Sequence, residues 1–286
     1  MSTLPSLFIS HGSPMTALEP RAAGAFWQRL GPAIDASVGR PNALLVLSAH
    51  TLAAQPVLLA GARHHAIYDF GGFDPRLSTL GYDAPGAPQL AGRAKQLLAD
   101  AGIVAHTVDQ GGLDHGIWVP LRSIYPQADV PVLPLAFSPN ASPQALLALG
   151  QALAPLLDEG VMVVGSGSLT HNLGLVFGAR RPPPEAPEMA ESAAFRQWVL
   201  QRAAAGDVPA LLDYRRQAPH AALMHPSDEH WLPWYPAWGA SLGTGATAAL
   251  RLHASQTFGC LAMDLYAFGS GARALHDALQ ADSVPA

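Results

Sequence analysis

Short runs of β-branched and leucine-rich residues, bounded by glycine, proline or serine, punctuate the chain. Between them lie longer stretches in which alanine and leucine recur every three to four positions. The short runs predict strands over 7–10, 43–48, 56–60, 130–137, 161–164 and 257–266. The longer stretches predict helices over 20–30, 87–101, 142–157, 185–205 and 272–279, with a further helix from Ile117. Ser142 followed by Pro143 reads as a helix cap and first turn. A run as continuous as Leu44-Leu45-Val46-Leu47 suits a strand buried on both faces. Strands alternating with helices predict an α/β fold, a single domain over 1–286, with a mostly parallel central sheet covered by helices on both faces.

Composition narrows the function classes. Lys plus Arg number 16 and Asp plus Glu 21, a formal charge of −5, and only 13 % of residues are charged while 49 % are hydrophobic. That balance argues against disorder and against a nucleic-acid partner, which needs a basic patch to displace counterions. The low charge also leaves room for a homo-oligomer. The single cysteine, Cys260, excludes an intrachain disulfide, a Cys-rich zinc site and an iron–sulfur cluster, and its apolar setting reads as an inert buried thiol. The longest apolar stretch, around 145–157, is broken by Gln151 and Pro155 and is too short to span a bilayer. Met1 to Pro5 carries no basic segment and no long apolar run follows it, so the expectation is a cytoplasmic protein without a membrane partner. Arg180 to Glu185 reads as a stiff exposed loop, and the tail from Asp282 to Ala286 as frayed.

The remaining anomaly is histidine, of which there are 12. His11 directly follows the first predicted strand, His50 closely follows the second, and His171 follows the strand Val161-Met162-Val163-Val164. In open α/β sheets ligands bind at the carboxyl ends of the strands, so these three can converge on one point. The small residues around them leave room for a ligand to approach. His115, in Gly112-Leu113-Asp114-His115-Gly116, and His230, in Pro226-Ser227-Asp228-Glu229-His230, sit in loops that suit the same crevice. Pro226-Ser227-Asp228-Glu229 reads as a helix start, with either Glu229 or His230 turned inward. Neutral imidazole is a common nitrogen ligand of zinc and iron(II), and a mononuclear metal site follows. Each histidine taken alone reads first as a turn or hydrogen-bonded core residue; it is His11, His50 and His171 together, at strand ends, that point to a metal or catalytic site. His64-His65 lies in a turn and reads as a surface pair, with a pocket lining as the alternative; His106, His253 and His276 read as structural or solvated; His220 and His225 flank a lid-like segment and stay undecided.

Rival motifs are poorly placed. Gly239-Ala240-Ser241-Leu242-Gly243 matches Gly-x-Ser-x-Gly but follows a Pro/Trp-rich stretch rather than a strand, and reads as a flexible loop. Gly269-Ser270-Gly271 lies too near the end of the chain to open a dinucleotide-binding unit. No His-Glu-x-x-His or Walker sequence occurs.

Taken in order, several motifs resemble one family. They are Ser10-His11-Gly12-Ser13-Pro14, Ser48-Ala49-His50, Ile67-Tyr68-Asp69-Phe70, Tyr82 through Gly86, Gly112 through Gly116 with Trp118-Val119-Pro120-Leu121, Gly165 through Ser168 with Thr170-His171-Asn172, and His225-Pro226 with Glu229-His230. The chain resembles, almost end to end, the DODA-type extradiol ring-opening dioxygenases, the 4,5-DOPA dioxygenase-like group of the class III (LigB-type) superfamily. The resemblance implies one zinc or iron(II) per chain held by His11, His50 and His230, with His171 a further ligand or a catalytic histidine. It implies that His115 handles substrate protons, and that a catechol and dioxygen are the substrates. Some superfamily members use a glutamate as third ligand, which would make Glu229 the alternative to His230. Phe70-Gly71-Gly72-Phe73 and Ser227-Asp228 vary from the commonest family forms and are expected to face substrate. Tyr68, Trp118 and Trp231 are candidates for an aromatic wall or for core packing. Two other readings stay open: a zinc hydrolase, and a binding or scaffold protein on the same fold.

Overall fold

Alternating side-chain direction along the inner strands sorts the apolar residues into two cores. In the computed structural model, which describes residues 4–179, 181–247 and 249–281, strand β1 (Ser6–Ser10) sends Leu7 and Ile9 to one face and Phe8 to the other. Strand β2 (Ala43–Ser48) does the same with Leu44 and Val46 against Leu45 and Leu47. Six more strands complete the main sheet: β3 (Val57–Leu59), β4 (His106–Val108), β5 (Val132–Ala136), β6 (Val161–Gly167), β7 (Ala249–His253) and β8 (Leu265–Phe268). Their order across the sheet is β4-β3-β5-β2-β6-β1-β8-β7.

The centre, β5-β2-β6-β1, is parallel throughout. On one flank β3 runs antiparallel to β5, with β4 parallel to β3. On the other, β8 is antiparallel to β1 and β7 antiparallel to β8. Helices Arg21–Ser37, His115–Ile124 and Ala272–Ala281 cover the Leu7 face, and helices Pro88–Asp100, Pro143–Ala152, Ala190–Ala204 and Trp234–Gly243 cover the Phe8 face. This is the expected α/β sheet, with antiparallel strands added at both edges. None of the described helices is long and apolar enough to cross a membrane.

Several boundaries differ from the pattern-based expectation for local reasons. Ser142 does cap its helix, accepting from Ala145 N–H at 3.1 Å. That helix stops at Ala152, however, and a separate turn, Pro155–Asp158, follows because Pro155 has no N–H to continue the ladder. The helix expected from Glu185 starts at Ala190, after a proline-rich segment that runs along Gln256–Gly259. The single strand expected over 257–266 is instead a small hairpin, Gln256–Thr257 with Leu261–Ala262, followed by β8. Phe258 and Gly259, at φ 55° and 67°, turn that hairpin. The Gly239–Gly243 stretch is not a flexible loop. It lies in helix Trp234–Gly243, where a Cβ on Gly239 would collide with the Leu147 carbonyl. Small residues there let the helix lie hard against Pro143–Ala152. Cys260 is buried. The tail from Asp282 lies outside the described residues.

Candidate metal centre

The site forms where the parallel strands end. The His11 N–H donates to the Gly167 carbonyl at 2.9 Å, so the residue stays in register with β6 beyond the end of β1. Gly12 then turns the chain away at φ 66°. His50 stands two residues past β2, on a turn held from below by one carboxylate. Ser48 Oγ donates to Asp114 Oδ1 at 2.7 Å and Thr51 Oγ1 donates to Asp114 Oδ2 at 2.5 Å. His230 arrives from a distant segment whose backbone lies on β6, with Ser168 N–H donating to the His230 carbonyl at 2.8 Å. The expected helix start at Pro226–Glu229 is a turn instead: the Asp228 carbonyl accepts from Trp231 and Leu232, and the helix begins at Trp234.

Three Nε2 atoms meet. His50 Nε2 is 3.2 Å from His11 Nε2 and 3.3 Å from His230 Nε2. Two nitrogens bound about 2.1 Å from a shared ion, at about 90–110°, stand about 3.0–3.4 Å apart. Hydrogen-bond accounting fits the same conclusion. Ser166 Oγ donates its one hydrogen to the Gly116 carbonyl, so the 3.0 Å contact with His11 Nδ1 must be donated by His11. His230 Nδ1 donates to Glu229 Oε1 at 3.0 Å. Both rings therefore aim an Nε2 lone pair at His50, which has at most one Nε2 hydrogen to offer. A cation satisfies all three at once, and the histidine–carboxylate pairing behind His230 is a common support for a ligating imidazole.

Two neighbouring groups share residues with this one: His50, Asp69 and His115, and His171, Glu229 and His230. In each, the carboxylate already accepts an Nδ1–H, from His115 and His230 respectively. Those nitrogens carry hydrogen and cannot ligate in that state. The chemistry of the donors thus favours the three-histidine group.

His171 takes a different place. Its ring lies parallel to that of His230, centroids 3.5 Å apart, outside the group formed by His11, His50 and His230. His115 opens its helix and packs 4.1 Å from the His50 ring, with Nδ1 donating to Asp69. Burial pushes His50 and His171 down to about 4, and burial with neighbouring histidines pushes His11 and His230 well below 6.5. Neutral imidazole, with a nitrogen lone pair free, is the form these surroundings favour. Burial would raise the Asp69 carboxyl, but its bonds to His115 outweigh that and hold it below the usual range. Burial raises Asp114 despite its two hydroxyl donors.

The histidines line a cavity of about 440 Å³. Its walls include Phe70, Phe73, Phe177 and Phe258. The candidate wall residues Tyr68, Trp118 and Trp231 do not line it. Trp118 and Trp231 are buried, donating to the Ile67 carbonyl and the Tyr235 hydroxyl, and Tyr68 donates to the Leu80 carbonyl. Of the two variable stretches, Phe70, Gly71 and Phe73 reach the cavity. Asp228 does not, being held by Tyr214 and Arg215. His225 is a core residue that donates to the Leu169 carbonyl at 2.9 Å, and His64 is buried rather than a surface residue. Sequence reasoning did not assign Asp69, Asp114 or Ser166 a role. The signal available for Asp69 was its place in Ile67-Tyr68-Asp69-Phe70, and for Ser166 its place at a strand's end.

The chain is similar to known proteins over most of its length. Residues 5–263 match the family described as the catalytic LigB subunit of aromatic ring-opening dioxygenase. A protein of Beta vulgaris named 4,5-DOPA dioxygenase extradiol is 38 % identical over 93 % of this chain and 96 % of its own length. An Escherichia coli K12 protein of the same name is 35 % identical over 83 % and 85 %. The crystal structure of an uncharacterized Escherichia coli K12 protein superposes with a TM-score of 0.74 at 29 % identity, covering 93 % of this chain and all of that one. The chain belongs to the LigB family of aromatic ring-opening dioxygenases, and is a metal-dependent oxidoreductase of the extradiol class.

Proposed function

We propose that the whole chain, 1–286, is one catalytic domain that opens the ring of a catechol bearing a DOPA-like side chain, with dioxygen as co-substrate. His11, His50 and His230 hold one iron(II) per chain. The observation that carries this reading is the meeting of their Nε2 atoms at 3.2 and 3.3 Å. Iron(II) is preferred to zinc because dioxygen chemistry needs a redox-active ion and zinc has none. When bound, that ion acidifies the catechol and brings it together with dioxygen.

The chain's own residues supply the rest. Phe70, Phe73, Phe177 and Phe258 enclose the aromatic ring and exclude water. His115 Nε2, on the side of the ring away from Asp69, accepts a phenolic proton and later returns it. His171, stacked on His230 at the cavity wall, is the second acid–base group. Burial keeps the His171 ring neutral near pH 7, ready to accept a proton. A reducing cytoplasm suits a ferrous site. The relatives' names favour neither the hydrolase nor the scaffold reading.

Anaerobic reconstitution with iron(II) or zinc(II), followed by oxygen uptake over a panel of catechols, tests this. Uptake with iron alone, on catechols with an amino-acid side chain, is the expected result. Equal uptake-free turnover with zinc would overturn it.

A further inference from the structure

Helix His115–Ile124 begins without a cap of its own. Asp114 stands at the capping position but makes no cap bond, because its oxygens accept from Ser48 and Thr51. The His115 N–H is met instead by Asp69 Oδ1 at 3.0 Å, from 46 residues upstream. The same carboxylate accepts His115 Nδ1–H, with both of its oxygens at 3.0 Å. Asp69 Oδ2 is also 3.8 Å from His50 Nδ1. Its neighbour Phe70 lines the cavity and meets the His115 ring edge-on at 5.8 Å. One side chain therefore ties together a helix start, an imidazole and the cavity wall.

We propose that Asp69 is a positioning residue: it fixes His115 as the Nδ1–H tautomer, so that Nε2 meets the substrate with a lone pair, and caps the same helix from outside. This rests on the reading of His115 as proton acceptor. A carboxylate has only acceptors, so it takes the backbone N–H and the Nδ1–H together, with both of its oxygens facing Nδ1 at 3.0 Å. In Asp69→Asn the carbonyl oxygen is retained by the backbone N–H, as the cap requires, and an NH₂ stands where Oδ2 now faces Nδ1, so an Nδ1–H there would meet a donor. The amide NH₂ is then left facing Nδ1 and donates to it. The ring must shift its hydrogen to Nε2, and the acceptor is lost where the substrate needs it. The same inversion disables a Ser-His-Asp triad when its aspartate becomes asparagine. Asp69→Asn thus separates the two tasks, keeping the cap and inverting the tautomer. Asp69→Ala removes both.

The test uses the full-length protein with ¹⁵N-labelled histidine, loaded with zinc so that it is diamagnetic. Long-range ¹⁵N–¹H correlation reads the His115 tautomer. Wild type is expected to carry its hydrogen on Nδ1 and Asp69→Asn on Nε2. With iron(II), Asp69→Asn is expected to lose about 100-fold or more in kcat, with KM within about threefold. Metal per chain and thermal midpoint are expected to match wild type. Asp69→Ala is expected to lose the midpoint as well. His115→Ala is the control arm. If it turns over at the wild-type rate, the reading of His115 fails and this proposal falls with it. If His115→Ala is slow while Asp69→Asn keeps the wild-type rate and an Nδ1–H ring, the proposal alone is overturned.

Discussion

His171 lies flat on His230, ring centroids 3.5 Å apart and planes 9° apart. A ring stacked in this way turns its face, not a ring nitrogen, toward its neighbour. It can still support that neighbour and offer a nitrogen to the cavity. Replacing His171 by alanine is therefore expected to leave about one metal per chain while lowering kcat about 10²–10⁴-fold. Replacing His11 is expected to lose the metal itself. Metal analysis after loading and desalting, beside oxygen uptake, separates the two. Loss of metal from His171→Ala to the same extent as from His11→Ala would make His171 a fourth ligand.

The same buried rings make the metal-free protein sensitive to acid. His50, His171 and His225 are held at about 4, and His11 and His230 well below 6.5. Unfolded, each titrates near 6.5. Between about pH 6.5 and pH 4 the unfolded chain binds more protons than the folded one, so stability rises with pH across that window. The contribution is complete above it and is lost as pH falls through it. Urea midpoints of the metal-free protein are expected to drop steadily from pH 7 to pH 5. Flat midpoints would mean that these rings are protonated in the folded state. Bound metal competes with the same protons, so the loaded protein is expected to release its ion over a similar range.

Asp114 gathers the His50 turn through two hydroxyl donors, Ser48 and Thr51. Removing the carboxylate leaves that turn without its anchor, and hydrogen bonds to a buried charged group contribute about 1.5–3 kcal/mol each. Asp114→Ala is expected to lower stability by about 3 kcal/mol, the lower end for two such bonds because burial already disfavours the charged carboxylate, and to weaken metal binding, since His50 loses its fixed position. Asp114→Asn retains one acceptor and is expected to lie between. Equilibrium denaturation and competition with a chelator measure the two effects separately.

The strand–helix alternation was legible because the inner strands carry unbroken apolar runs such as Leu44 to Leu47, and because Ser142-Pro143 announces a helix start. That His11 and His50 follow strand ends was legible for the same reason. What those rings touch was not. Asp69 reaches His115 across 46 residues, and Ser166 reaches His11 across 155. Local pattern says nothing about contacts that only the closed sheet creates. The hairpin at Phe258-Gly259 escaped for a different reason. Its φ values break an apolar run whose composition still reads as one strand. Gly239 and Gly243 misled in the opposite sense, since their glycines mark close helix packing rather than a loop.

The glycines of β6 set how near His230 can come. Gly165 and Gly167 both lie under the segment that carries it, and a Cβ on either would strike backbone, the Pro233 carbonyl at Gly165 and the His230 carbonyl at Gly167. Backbone cannot move aside as the end of a side chain can, and the Ser168 N–H bond to the His230 carbonyl pins the segment at the same point. Gly167→Ala must therefore lift residues 230–233 off the sheet. Overpacking of this kind costs about 1–3 kcal/mol, or more where the backbone has to shift. Lifting His230 by even about 1 Å takes its Nε2 outside the narrow span that an ion with about 2.1 Å bonds allows. Gly167→Ala is expected to fold with a lowered midpoint and to bind metal at least tenfold more weakly, while His11 and His50 keep their places. A chelator-competition titration measures the affinity. Wild-type affinity in a folded Gly167→Ala protein would mean that His230 is not a ligand, and would pass the third position to another donor at the same rim.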